Sequence, residues 1–200
     1  MQAVKDLPDH YTTQDTLDLS STRTALWLNL AAIPLLFVFG WIFNKVFNLI
    51  IADNSAQFDI WQTIKSFSFT EWMIAILGLV VMLILHELVH GIFFWLFTHE
   101  RPKFALRSGY AFAAAPDWYL RKYPYIVVGL SPLVIISILC SILVIFVNSQ
   151  LIGYLLLIAT FNAAGALGDM IVVAWVIGHK SPVYVRDQGD SFSVFSTYGE

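Results

Sequence analysis

Four stretches of about twenty nearly uninterrupted apolar residues leave this chain little choice of architecture, because each is long enough to cross the roughly 30 Å hydrocarbon core of a bilayer as a helix. They run over residues 25–43, 72–97, 125–147 and 151–177. Composition agrees: 58% of the 200 residues are hydrophobic and 12% charged, where a soluble domain carries about 25% charged residues. Mean hydropathy is +0.71. Backbone polar groups in lipid must pair within the protein, so helices are expected, and Pro34 and Pro132 are tolerable where neighbouring helices re-satisfy the freed carbonyls. Trp27 and Trp41 mark the ends of the first span at headgroup level. Only Asn148-Ser149-Gln150 separates the third span from the fourth, which makes those two an antiparallel hairpin. The expected fold is an all-α integral membrane protein with four transmembrane helices.

The chain divides into an N-terminal arm (1–24), a membrane domain (25–180) and a C-terminal tail (181–200). The arm carries Asp6, Asp9, Asp15 and Asp18 and no early apolar core, so it does not resemble a cleaved signal peptide. Lys5, Arg23, Arg101, Lys103, Arg107, Arg121, Lys122, Lys180 and Arg186 fall on one side of the predicted spans, and Lys45 and Lys65 on the other. Basic residues are retained in the cytoplasm, so both termini are expected there. A net charge of -3 gives no reason to expect nucleic acid. Cys140 is a single cysteine in an apolar run, which excludes an intrachain disulfide framework.

Between the second and third spans, KFALR and YAFAA flank Ser108-Gly109 and read as a small β-hairpin in the cytoplasmic loop. The tail sequence SPVYVRDQGDSFSVF has a second such pattern around Gln188-Gly189-Asp190. In the 44–71 connection, Phe58, Trp61, Ile64 and Phe67 recur at helical spacing, as in a segment lying flat at the outer interface.

Within the second span, LILHELVHGIFF sets His86, Glu87 and His90 among greasy side chains. Ionisable groups in a span cost about 2.5–3.5 kcal/mol each on insertion scales and seldom lie there without a partner. Histidines four residues apart share a helix face with Cβ atoms about 5–6 Å apart, close enough to grip one ion. The glutamate after the first histidine is placed to take a proton from metal-bound water, the HExxH arrangement. The alternative is a structural histidine pair hydrogen-bonded to other helices.

A catalytic zinc site needs a third protein ligand. Leu96 stands where the HExxHxxGxxH pattern requires histidine, Glu100 follows His90 too closely, and His99 sits at the membrane edge. In the fourth span, FNAAGALGDM offers Asn162 and Asp169 as its strongly polar side chains, two helical turns apart on one face, with Gly165, Ala166 and Gly168 beside them as small residues that allow close helix approach. The second and fourth spans run in the same direction. At about 1.5 Å per residue, His86 and His90 lie about 21 and 27 Å from their outer end and Asp169 about 27 Å from its own. The three are level, toward the cytoplasmic side, while His179 falls beyond the membrane. Asp169 is read as the third ligand, against the alternative of an interhelical hydrogen-bond or salt-bridge partner.

With HELVH in one span and N-x6-D in a later one, the chain resembles intramembrane zinc metalloproteases of the site-2 protease type, and more closely the bacterial DUF3267 family of zincin-type membrane peptidases. The resemblance covers about residues 70–180, including GLSP at Gly129–Pro132. It implies peptide-bond hydrolysis at the cytoplasmic membrane of a bacterium, on a membrane protein or peptide, with Zn2+ on His86, His90 and Asp169, Glu87 as general base, and Asn162 positioning substrate or stabilising the oxyanion. The site-2 pattern has a proline between asparagine and aspartate and a glycine after the aspartate; here Gly168 precedes Asp169 and Met170 follows. Two other readings are open: a non-catalytic protein in which the ion clips two helices together, its fourth position filled by Asn162 or Asp117, and a metal-responsive or transport component.

Overall fold

The computed structural model describes residues 3–51, 59–107, 110–180 and 182–197. Among the described residues, three helices are long and apolar enough to cross a membrane: α1 (Thr22–Ile51), α3 (Phe69–Thr98) and α4 (Lys122–Leu143). The expected fourth span is broken. It consists of α5 (Ser149–Gly165) and α6 (Leu167–Gly178), a bent pair that makes a fourth crossing when counted as one. The apolar run continues through Ala166, so hydropathy alone carries no sign of the break. Helix starts follow their local chemistry: Ser68 and Glu71 form a reciprocal capping box on α3, and Asn148 Oδ1 accepts from Leu151 N at 3.1 Å to cap α5. The short α2 (Ile60–Lys65) covers part of the predicted interfacial segment, and Phe58 of that reading lies outside the described residues.

The all-α expectation needs correction, because arm, loop and tail supply strands. β1 (Ala3–Val4), β5 (Tyr119–Arg121), β6 (Tyr184–Asp187), β7 (Ser191–Thr197) and β2 (Tyr11–Asp18) form an antiparallel sheet in the order β1-β5-β6-β7-β2. The predicted hairpin is a separate pair, β3 (Lys103–Arg107) with β4 (Tyr110–Ala114), in register from Lys103↔Ala114 to Arg107↔Tyr110. The tail pattern becomes β6 and β7, and Gly189 takes φ +98° in their turn, a conformation that only glycine adopts without strain.

Contacts divide the chain into two compact units. The first comprises Met1–Leu28, Glu87–Ser131 and Leu167–Glu200, and its core contains Phe94, Leu120, Tyr125, Val128, Val172, Val176, Val185 and Val194. The second comprises Asn29–His86 and Pro132–Ala166, around Phe43, Phe47, Ile136, Cys140, Leu156 and Ala163. Many large apolar side chains of α1, α3 and α4 are exposed, among them Trp27, Phe37, Leu77 and Ile138. That outward grease suits lipid rather than water.

Candidate metal centre

The site starts from α3. Residues 83–94 contain no glycine before Gly91 and no proline, so the helix runs unbroken through HELVH and sets His86 one turn before His90. Both are buried, at 8% and 7% exposure. Asp169 stands in the first turn of α6, where the helix dipole favours a carboxylate. His86, His90 and Asp169 each offer one ligand atom, all within 4.8 Å of one another. His90 Nε2 and Asp169 Oδ2 are 3.4 Å apart. Two ligands about 2.1 Å from an ion at the tetrahedral angle are about 3.4 Å apart, so the His90–Asp169 pair is spaced to share one zinc ion.

Hydrogen bonds fix which ring nitrogen faces the cluster. His90 Nδ1 donates to the Val128 carbonyl at 2.9 Å. His86 Nδ1 donates to Asn162 Oδ1 at 3.0 Å, and Asn162 Nδ2 donates to the Pro132 carbonyl at 3.3 Å. With both Nδ1 atoms protonated and engaged, each imidazole keeps its Nε2 lone pair for a metal. Glu87 follows His86 and is half-buried.

The availability of the Val128 carbonyl has a covalent cause. In a regular helix it would accept from the N–H four residues on, but that residue is Pro132, which has none. The freed oxygen takes His90 Nδ1–H and the Ser131 hydroxyl, the latter at 2.8 Å. Gly129 acts beside it: a Cβ there would lie 2.5 Å from Val173 Cγ2, so the glycine lets α4 approach α6 closely. The GLSP segment thus serves the centre through backbone chemistry.

Over residues 79–184, more than half of its length, the chain matches a protein-family model, DUF3267, whose description reads "Putative zincin peptidase". The chain belongs to this family. No curated protein and no solved structure matches it. The DUF3267 segment carries both histidines, Glu87, Asn162 and Asp169, and membership implies zinc. A two-histidine, one-carboxylate donor set of this spacing fits that ion.

Two sequence readings change. Asp117, considered as a fourth ligand, is 62% exposed in its side chain and bound to Lys103 at 2.7 Å. Gly165 and Gly168, read as points of close helix approach, have no atom within 4 Å of an added Cβ, and that part is played by Gly129. His179 is engaged with the Trp175 carbonyl and Asp15. Sequence reasoning passed over Val128, although a proline four residues later signals a freed carbonyl. It also passed over Tyr125 and Asp187, which are joined by a buried hydrogen bond of 3.0 Å. The alternation of VYVRD, which turns Asp187 inward with Val185, was the available signal.

Proposed function

We propose that this chain is a zinc-dependent peptidase that hydrolyses peptide bonds of membrane proteins or peptides within or at the cytoplasmic membrane. The observation that carries this reading is the convergence of His86, His90 and Asp169 with both Nδ1 atoms already engaged. When bound, the ion supplies a Lewis acid and brings its water to a pKa of about 7. Glu87 accepts the proton of the attacking water and returns it to the leaving amine. Asn162 holds His86 in the ligating tautomer. The hairpin β3–β4 offers a strand edge to an extended peptide, and it lies against the metal-bearing helix: a Cβ on Gly91 would collide with the Phe104 ring.

Pairing of β1 with β5 and of β2 with β7 supports a common side for both termini and the 98–122 loop, and the basic residues of these segments favour the cytoplasm. The reading as an interhelical clip is disfavoured by Glu87, which a clip does not need, and by Asn162, whose oxygen and nitrogen are each committed.

The test is bound metal by mass spectrometry together with cleavage of transmembrane peptides, on detergent-purified wild type, His86→Ala, Asp169→Ala and Glu87→Gln. The expected result is about one zinc in wild type and Glu87→Gln, none in the alanine variants, and cleavage by wild type alone. Cleavage by Glu87→Gln at the wild-type rate would overturn the mechanism.

A further inference from the structure

In β6, burial alternates so that Val185 and Asp187 face the core while Tyr184 and Arg186 do not. A carboxylate at 7% exposure in such a position is costly unless it is bonded. Asp187 Oδ1 accepts the Gly189 N–H at 2.7 Å and Oδ2 accepts the Tyr125 hydroxyl at 3.0 Å. Tyr125 is itself 3% exposed, on α4, three residues before Val128 and on the same face. A continuous line therefore runs from the tail strand through Tyr125 and α4 to the carbonyl that orients His90. Apolar side chains at Asp187 and Tyr125 would fill the same space. What the polar pair adds is a fixed register for α4.

We infer that Asp187 is a positioning residue of the metal centre, acting through Tyr125 on the α4 segment that orients His90. This rests on the zinc reading given above. It makes the C-terminal strand, beyond the matched family segment, a working part of the site.

The test is zinc affinity of the full-length protein in detergent, by competition with a chelating dye, for wild type, Asp187→Asn, Tyr125→Phe and the double variant, with thermal unfolding of the metal-free forms alongside. Each single variant is expected to bind zinc about tenfold more weakly, as for lost outer-shell partners of a metal ligand. The double variant should be no weaker than the worse single, because the two residues act as one unit. Loss of unfolding temperature with unchanged affinity would mean a purely structural pair and would overturn the inference. Should Asp187→Asn fail to fold, the near-isosteric Tyr125→Phe decides by the same criterion. Wild type without zinc would instead remove the underlying metal reading.

Discussion

Replacing Gly129 with alanine should damage zinc binding without touching a ligand. The added Cβ would lie 2.5 Å from Val173 Cγ2, against about 3.5–4.0 Å for an ordinary carbon contact. Val173 is buried and β-branched, with a single favoured rotamer in a helix, so its methyl cannot swing aside. α4 and α6 must then part locally by about 1 Å. Val173 lies one turn beyond Asp169, and Gly129 adjoins the carbonyl that orients His90, so both sides of the 3.4 Å ligand pair are displaced. Overpacking costs about 1–3 kcal/mol, offset by about 1 kcal/mol from the better helix propensity of alanine. Net stability should change little while zinc affinity falls about tenfold or more. Chelator competition and thermal unfolding on the same samples separate the two effects. Gly168→Ala, beside Asp169 but with nothing within 4 Å of its new Cβ, is the control and should bind zinc like wild type. Wild-type affinity in Gly129→Ala, or equal loss in Gly168→Ala, would refute the reasoning.

Three further outcomes are expected. Asn162→Ala should weaken zinc binding about 10- to 100-fold, because His86 loses the acceptor that sets its tautomer; unchanged affinity in a dye competition assay would contradict this. Pro132→Ala restores an N–H that competes for the Val128 carbonyl, so unfolding temperature should rise while zinc affinity falls, a divergence visible in paired melts and titrations. In the metal-free protein, burial pushes Asp187 up to about 6 from 3.8. The folded state then keeps a proton that the unfolded chain has released, so stability is highest below pH 4 from this group and falls as pH rises through 6, by about 3 kcal/mol in all. Unfolding of Asp187→Asn measured across that window should lack this slope.

HELVH was legible because its chemistry lies in local spacing: two histidines four residues apart meet on any helix. Asp169 was legible for a different reason, the scarcity of polar side chains in a lipid span, which leaves few candidates at the right depth. The β3–β4 hairpin showed itself through two alternating runs around a turn dipeptide. The larger sheet was hidden because its strands come from the N-terminal arm, the 98–122 loop and the C-terminal tail, and because β2, YTTQDTLD, is an exposed edge strand with almost no apolar alternation. The break at Ala166 left no trace either: the GALG glycines mark it only once it is seen that nothing packs against Gly165 or Gly168. Val128 could not be found by residue type, since its contribution is a carbonyl that every residue owns.

The distances in sequence between α3 and its partners bear on how the protein is made. His90 meets the carbonyl of a residue 38 positions later, and His86 an asparagine 76 positions later. Because α3 leaves the ribosome ahead of α4 and α5, it can enter lipid before either acceptor reaches the membrane. For that interval the imidazoles lack the α4 and α5 acceptors that hold them in the folded protein, and ionisable groups in that condition disfavour insertion by about 2.5–3.5 kcal/mol each. The other residues of this 30-residue helix are almost all apolar, each leucine, isoleucine, phenylalanine or valine favouring entry by about 0.3–0.6 kcal/mol. The grease around the motif is thus ballast: it carries the metal ligands into the membrane ahead of the groups that will hold them.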